Sequence, residues 1–191
     1  MREMVQDKRV ERTRQALSGA FYQVVLSKSY AEITVDDIVA RAGVSRSTFY
    51  EHFSSKDDMY ASSLKRPLAI LADAMREWDN TEHIKMLLEH FWENRGIAQG
   101  IFKGPARAVN VAVLVELIEE RFKEDRVGSP NSLLIPPRMA ATQIAESLLA
   151  PVTAWLLGES QCTKEALALA LRQTAMAMLQ ALRPRSLGDG G

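Results

Sequence analysis

The chain has 191 residues, nearly half apolar (47%) and a quarter charged (25%), enough to bury a sizeable core and still present a polar surface. Its 24 basic residues balance its 24 acidic ones, so net charge neither selects nor excludes nucleic acid, and a local basic strip has to decide. The single cysteine, Cys162, excludes a disulfide within the chain and fits a free thiol in a reducing cytoplasm. The first fourteen residues carry charge throughout, which argues against a leader peptide. The most apolar late run, Ala166 to Leu182, is broken by Arg172 and Gln173 and is shorter than the roughly 20 residues a bilayer span needs. The expected location is the cytoplasm, with no membrane partner.

Strand signals are nearly absent, and the pattern predicts an all-α chain of about nine helices. Ala16, Ala20, Phe21, Val24 and Val25 recur at helical spacing and place a first helix over 10–27. Thr34 is a good N-cap for a short second helix. Asp37, three residues on, can close a capping box. Ile38, Val39 and Ala42 supply its apolar face, and Gly43 ends it. A third helix starts at Ser45. A fourth opens at Ser54–Ser55 and reaches Trp78, with a kink near Pro67. Further helices are expected over 82–94, 97–102 and 106–123. Residues 124–136, with Gly128, Pro130 and Pro136, read as a mobile loop. Pro137 opens an eighth helix to Leu157, and Thr163 caps a ninth that stops before Pro184.

The stretch Gly43–Phe53, "GVSRSTFYEHF", concentrates the chemistry. Phe49 and Phe53 are four apart and share one helix face, which Val44 can join. Arg46, Ser47, Thr48 and Tyr50 occupy the other side. Such side chains suit phosphate oxygens and base edges, whereas an ordinary solvated face favours Glu and Lys. Two short helices around a glycine turn make a helix-turn-helix, and the same spacing also fits a plain helical hairpin. Lys8, Arg9, Arg12 and Arg14 form a basic arm upstream, and Lys56 lies in the first turn of the fourth helix.

The run "ITVDDIVARAGVSRSTFYEHFSSKDDMY" resembles the DNA-binding signature of the TetR family of transcriptional repressors. The matching features are Thr34, the Ala42–Ser45 turn, Thr48-Phe49-Tyr50, His52-Phe53 and Lys56-Asp57. They cover about the first sixty residues. Ser47 stands where the family often has Gly, and Val39 where it often has Ala. The resemblance implies that Thr34, Ser45, Tyr50, His52 and Lys56 hold phosphates. It implies that Arg46, Ser47 and Thr48 face bases, and that Phe49 and Phe53 are structural. It also implies a helix-turn-helix domain over 1–54 and an effector-binding and dimerisation domain over 55–184; the tail over 185–191, after the last helix, is expected to be disordered.

In the ninth helix nearly every side chain is apolar, so it must be covered on all sides, by its own domain or by a second copy. The resemblance implies a homodimer in which the eighth and ninth helices pair with their copies. The expected interface residues are Ile144, Leu148, Val152, Trp155, Leu167, Leu171 and Met178. Met75, Trp78, Leu87, Phe91, Phe102, Val113, Leu114 and Leu117 are candidates to line a site for a small apolar effector, although such stripes are more often plain core. Asn110 shares their helical face, and a buried amide needs a partner: a ligand, a backbone carbonyl, or a neighbour such as Gln99 or His90. His83, Glu89, His90 and Glu93 lie on one helix with no Cys pair to complete a metal set. No nucleophile-base pair or phosphate loop stands out. The expectation is a ligand-responsive repressor of double-stranded DNA, without enzyme activity, metal or cofactor. The alternative is a constitutive DNA binder with no effector.

Overall fold

The structure, a computed structural model, describes residues 2–125 and 132–184, with side chains from residue 10 onward. The expected tail at 185–191, the middle of the expected loop at 126–131, and the side chains of Lys8 and Arg9 lie outside the described residues. The described residues form nine α-helices and one 3-10 turn, with no strand. The helices are α1 (Arg2–Val25), α2 (Val35–Ala42), α3 (Arg46–His52), α4 (Lys56–Ala72), α5 (Thr81–Glu93), α6 (Arg95–Ile101), α7 (Pro105–Glu124), α8 (Pro137–Leu157) and α9 (Lys164–Leu182). None is long and apolar enough to cross a membrane.

Two compact units emerge. The first is Met1–Leu64 with Asn94–Asn110; the second is Lys65–Glu93 with Val111–Gly191. This differs from the division after Ser54 expected from sequence. The start of α4, all of α6 and the first turns of α7 join the N-terminal helices, because their partners are distant in the chain.

In the first unit, α1 packs on α2, α3 and α6. Leu17, Phe21, Ile38, Phe49 and Tyr60 are fully buried there. Each such aromatic or aliphatic side chain contributes about 1.5–3 kcal/mol relative to exposure. The rings of Phe21, Tyr30 and Tyr60 lie within 5.1–6.0 Å of one another. The Tyr30 hydroxyl donates to Asp57. Burial first, and then that carboxylate, push the phenol far above its usual pKa. α6 approaches α1 closely: a Cβ added at Gly100 would sit 2.7 Å from Val25 Cγ1. α1 begins eight residues before the expected start, because Glu, Met, Gln, Lys and Arg at 2–9 are good helix formers and nothing there interrupts them.

In the second unit, α5, α8 and the 3-10 turn Asp73–Met75 pack on α9. Ile84, Leu88, Leu148, Val152 and Leu156 are fully buried. α4 stops at Ala72 instead of reaching Trp78. The turn that follows sits beside α7: Arg121 Nε reaches Asp73 at 2.6 Å, and Arg76 pairs with Glu124. These partners lie some fifty residues away, out of reach of local pattern. Asn80 is buried, with Nδ2 donating to the Ile70 carbonyl at 2.9 Å. Thr163 caps α9, accepting from the Ala166 amide at 3.1 Å. Trp155 Nε1 donates to the Cys162 carbonyl and its ring lies 4.8 Å from that of Trp92.

Candidate nucleic-acid interface

Local chemistry builds the pair α2–α3. The Thr34 Oγ1 accepts from the Asp37 amide at 3.2 Å, and the Asp37 carboxylate takes the Thr34 N–H at 2.9 Å, closing the capping box. Lys28 adds a 2.6 Å contact to Asp37. The Lys28 contact and then the two Thr34 donors lower the Asp37 pKa to about 2. Gly43 terminates α2 at φ 67°, a left-handed conformation that disfavours a Cβ. Two residues later Ser45 caps α3, accepting from the Thr48 amide at 3.1 Å. The chain therefore turns sharply between two capped helices.

α3 then divides by side. Phe49 and Phe53 point inward, 0% and 4% exposed, with ring centroids 5.8 Å apart. Tyr50 on the other side is half exposed (50%). Arg46 and Ser47 are exposed, while Thr48 and His52 are partly so. Ser45, Ser47 and Thr48 share hydroxyl hydrogen bonds of 2.7 and 2.9 Å. The Arg46 guanidinium lies 5.9 Å from the Tyr50 ring. The Tyr50 hydroxyl first, and Asp36 after it, hold the guanidinium pKa above its ordinary value. Protruding cations and hydroxyls on a short rod anchored by two rings can reach phosphates and base edges.

Lys56, Thr34 and Ser45, expected to face DNA, also serve the fold. Lys56 Nζ donates to the Tyr30 and Ile33 carbonyls, each at 2.7 Å, and sits 4.5 Å above the Tyr30 ring. Thr34 Oγ1 donates to Asp37, and Ser45 serves as a cap. Arg14, expected in a basic arm, lies 4.6 Å over the Phe53 ring. Asp36 was missed by the sequence reading: its carboxylate holds Arg46. A carboxylate in the first turn of the leading helix, opposite an arginine in the first turn of the second, is the signal that could have found it.

The expected effector residues divide between the units. Phe102 and Asn110 belong to the first; Met75, Trp78, Leu87, Phe91, Val113, Leu114 and Leu117 belong to the second. Trp78 is 47% exposed, with its ring 5.8 Å from that of His83, and the other eight are buried. Asn110 is 1% exposed and bonded at both polar atoms: it accepts from the Tyr60 hydroxyl at 2.5 Å and donates to the Ile101 carbonyl at 2.9 Å. Neither Gln99 nor His90 supplies these two bonds.

The expected dimer residues mostly face inward in the single chain. Ile144, Leu148, Val152, Trp155, Leu167 and Leu171 are buried inside a single chain, at 0–6% exposure, and Met178 is half-buried. The first six pack within the chain's own core. The outward rows are different ones. On α9, Ala166, Ala170, Gln173, Ala177 and Ala181 recur at helical spacing and are exposed. On α8, Met139, Gln143 and Ala150 are exposed on one row. Met139, Thr142, Gln143 and Glu146 also line an open concavity of about 370 Å³. Among the described residues no three His, Cys, Asp or Glu side chains group as a metal set.

Residues 22–62 match the family described as bacterial regulatory proteins, tetR family. The chain is 40% identical over 68 residues to an uncharacterized HTH-type transcriptional regulator, YxbF, of Bacillus subtilis, covering 35% of this chain and 18% of that protein. It is 33% identical over 90 residues to the HTH-type transcriptional activator FasR of Mycolicibacterium smegmatis, covering 44% of this chain and 41% of that one. These matches span less than half the length of either relative. The fold resembles that of a TetR transcriptional regulator from Streptococcus agalactiae, with TM-score 0.57 and 24% identity, over 91% of this chain and 98% of that one.

Proposed function

We propose, proceeding from the TetR-family DNA-binding domain that this chain carries, that it is a sequence-specific transcriptional regulator working as a homodimer in the cytoplasm. The observation that supports this reading is the two-sided third helix. Phe49 and Phe53 lock it to the core, while Arg46, Ser47, Thr48 and Tyr50 protrude where a major groove would lie. Thr34, Ser45, His52 and Lys56 sit at the margins of that surface and serve the phosphate backbone. The carbonyl contacts of Lys56 account for two of its three ammonium protons and leave one for an anion.

One such helix reads few base pairs, so two copies read a palindrome with centres roughly 34–36 Å apart. The interface between copies uses the outward rows of α8 and α9, where small side chains allow close helix approach. The regulator acts as a repressor released by a small apolar effector. Only a ligand with unequal affinity for the DNA-competent and incompetent states can drive that release. FasR, which shares the N-terminal region, is named an activator, so operator-linked expression assays must read the sign of regulation in both directions. A second reading, a constitutive regulator without effector, is favoured by one observation: both polar atoms of Asn110 are already satisfied within the chain.

The test is selection of bound fragments from genomic DNA by the purified chain, followed by titration of the recovered operator. Affinity should fall steeply as salt rises. Arg46→Ala and Tyr50→Ala should each weaken operator binding at least tenfold without changing the melting temperature. Unchanged binding in both variants would remove α3 from the interface. Compounds that raise the melting temperature and release the operator would establish the effector; their absence from a broad apolar library would favour the constitutive reading.

A further inference from the structure

The Arg46 side chain is not a loose cation. Both oxygens of Asp36, on the preceding helix, lie 3.0 Å from its Nη1. Both side chains are well exposed, at 58% and 64%, and the Tyr50 ring lies 5.9 Å from the guanidinium carbon. An exposed ion pair of this kind adds little to stability. Its placement matters more than its strength. A carboxylate on a surface that meets phosphates is unfavourable for binding DNA in general, so a chain tuned only for affinity gains nothing by having one there.

We propose that Asp36 is a positioning residue for base recognition: by gripping Nη1 it fixes the plane of the Arg46 guanidinium and sets the base that this side chain reads. The grip engages one nitrogen. The Nε–Nη2 edge is not engaged by Asp36 and can fork onto a planar pair of acceptors, and guanine O6 and N7 are such a pair. A fixed plane discriminates, because a swinging guanidinium can settle on any phosphate or acceptor nearby. The Asp36 charge adds a second effect. It repels phosphates of a misplaced duplex, and only a duplex that supplies the forked acceptor offsets that repulsion. Asp36 therefore lowers affinity for arbitrary DNA and raises the ratio of specific to non-specific binding.

This inference rests on the DNA-binding reading above. The experiment compares the full-length protein with Asp36→Asn, Asp36→Ala, Asp36→Glu and Arg46→Lys on three duplexes: the selected operator, the same operator with one base pair replaced beneath α3, and a scrambled duplex. Asp36→Asn and Asp36→Ala should bind the scrambled duplex several-fold more tightly. Their preference for the operator over the single-base variant should shrink at least fivefold. Asp36→Glu should recover part of that preference, and Arg46→Lys, which keeps charge but loses the fork, should lose it despite an intact Asp36. An Asp36→Asn protein that weakens on all three duplexes equally, or one that tightens on all three equally, overturns the inference: the first outcome makes Asp36 structural and the second a simple repulsive charge. Unchanged preference overturns it as well. A wild-type protein that binds no duplex in fragment selection overturns the DNA-binding reading itself, and the inference with it.

Discussion

Replacing Asn110 with alanine should destabilise the protein by about 3 kcal/mol. The side chain is 1% exposed and bridges two elements of the first unit. It accepts from the Tyr60 hydroxyl at 2.5 Å, and Tyr60 is itself fully buried. It donates to the carbonyl of Ile101, the last residue of α6, where a helix carbonyl has no intrahelical partner. Truncation strands the Tyr60 donor and the Ile101 acceptor together. Each stranded buried group costs about 1–3 kcal/mol, and the vacated volume adds to that. In a chain of this size each kcal/mol moves the melting temperature by about 2–4 °C, so the expected fall is about 6–12 °C. Tyr60→Phe should cost less, about 1–2 kcal/mol, because it strands only Asn110 Oδ1. In a double-mutant cycle the two changes should be non-additive by about 1 kcal/mol, since either alone breaks the same bond. Thermal and denaturant melts of the four proteins measure this directly. An Asn110→Ala protein that melts within about 2 °C of wild type would refute the reasoning. If that protein also lost response to an effector, Asn110 would instead be a ligand-binding group.

Gly100→Ala should lower the melting temperature by several degrees, since the new methyl would meet Val25 Cγ1 at 2.7 Å and overpacking costs about 1–3 kcal/mol, offset in part by better helix propensity. In a Val25→Ala background the same change should be neutral or stabilising, and a melt of the pair checks the sign. The Asp37 carboxyl, with its pKa lowered to about 2, stabilises the α2 cap fully above the ordinary carboxylate pKa of about 3.9. That contribution should vanish as pH falls from about 4 through 2, and carboxyl NMR titration with and without Lys28→Ala should show the midpoint rise when the lysine is removed. Ala177→Arg, on the outward row of α9, should convert the proposed dimer to monomer in sedimentation at micromolar concentration, whereas a dimer that survives it would move the interface elsewhere.

Much of the reading head was legible in the sequence because its causes are local. Thr34 and Asp37 make their capping box across three residues, Gly43 supplies its left-handed turn alone, and Phe49 and Phe53 share a face through helical geometry. The sequence by itself thus determined that this protein is helical, where its short capped helices start and stop, and which side of α3 is polar. Tertiary structure decided the rest. Apolar composition says that α8 and α9 are buried, but only packing says which rows meet the chain's own core, and it assigned Ile144, Leu148 and Leu171 inward and Ala170 and Ala177 outward. α4 ends at Ala72, just before Asp73 meets Arg121, and the partners of Asn110 came from residues fifty and nine positions away. Periodicity along one helix fixes angles about its axis; which neighbour fills each angle is settled by elements far away in the chain.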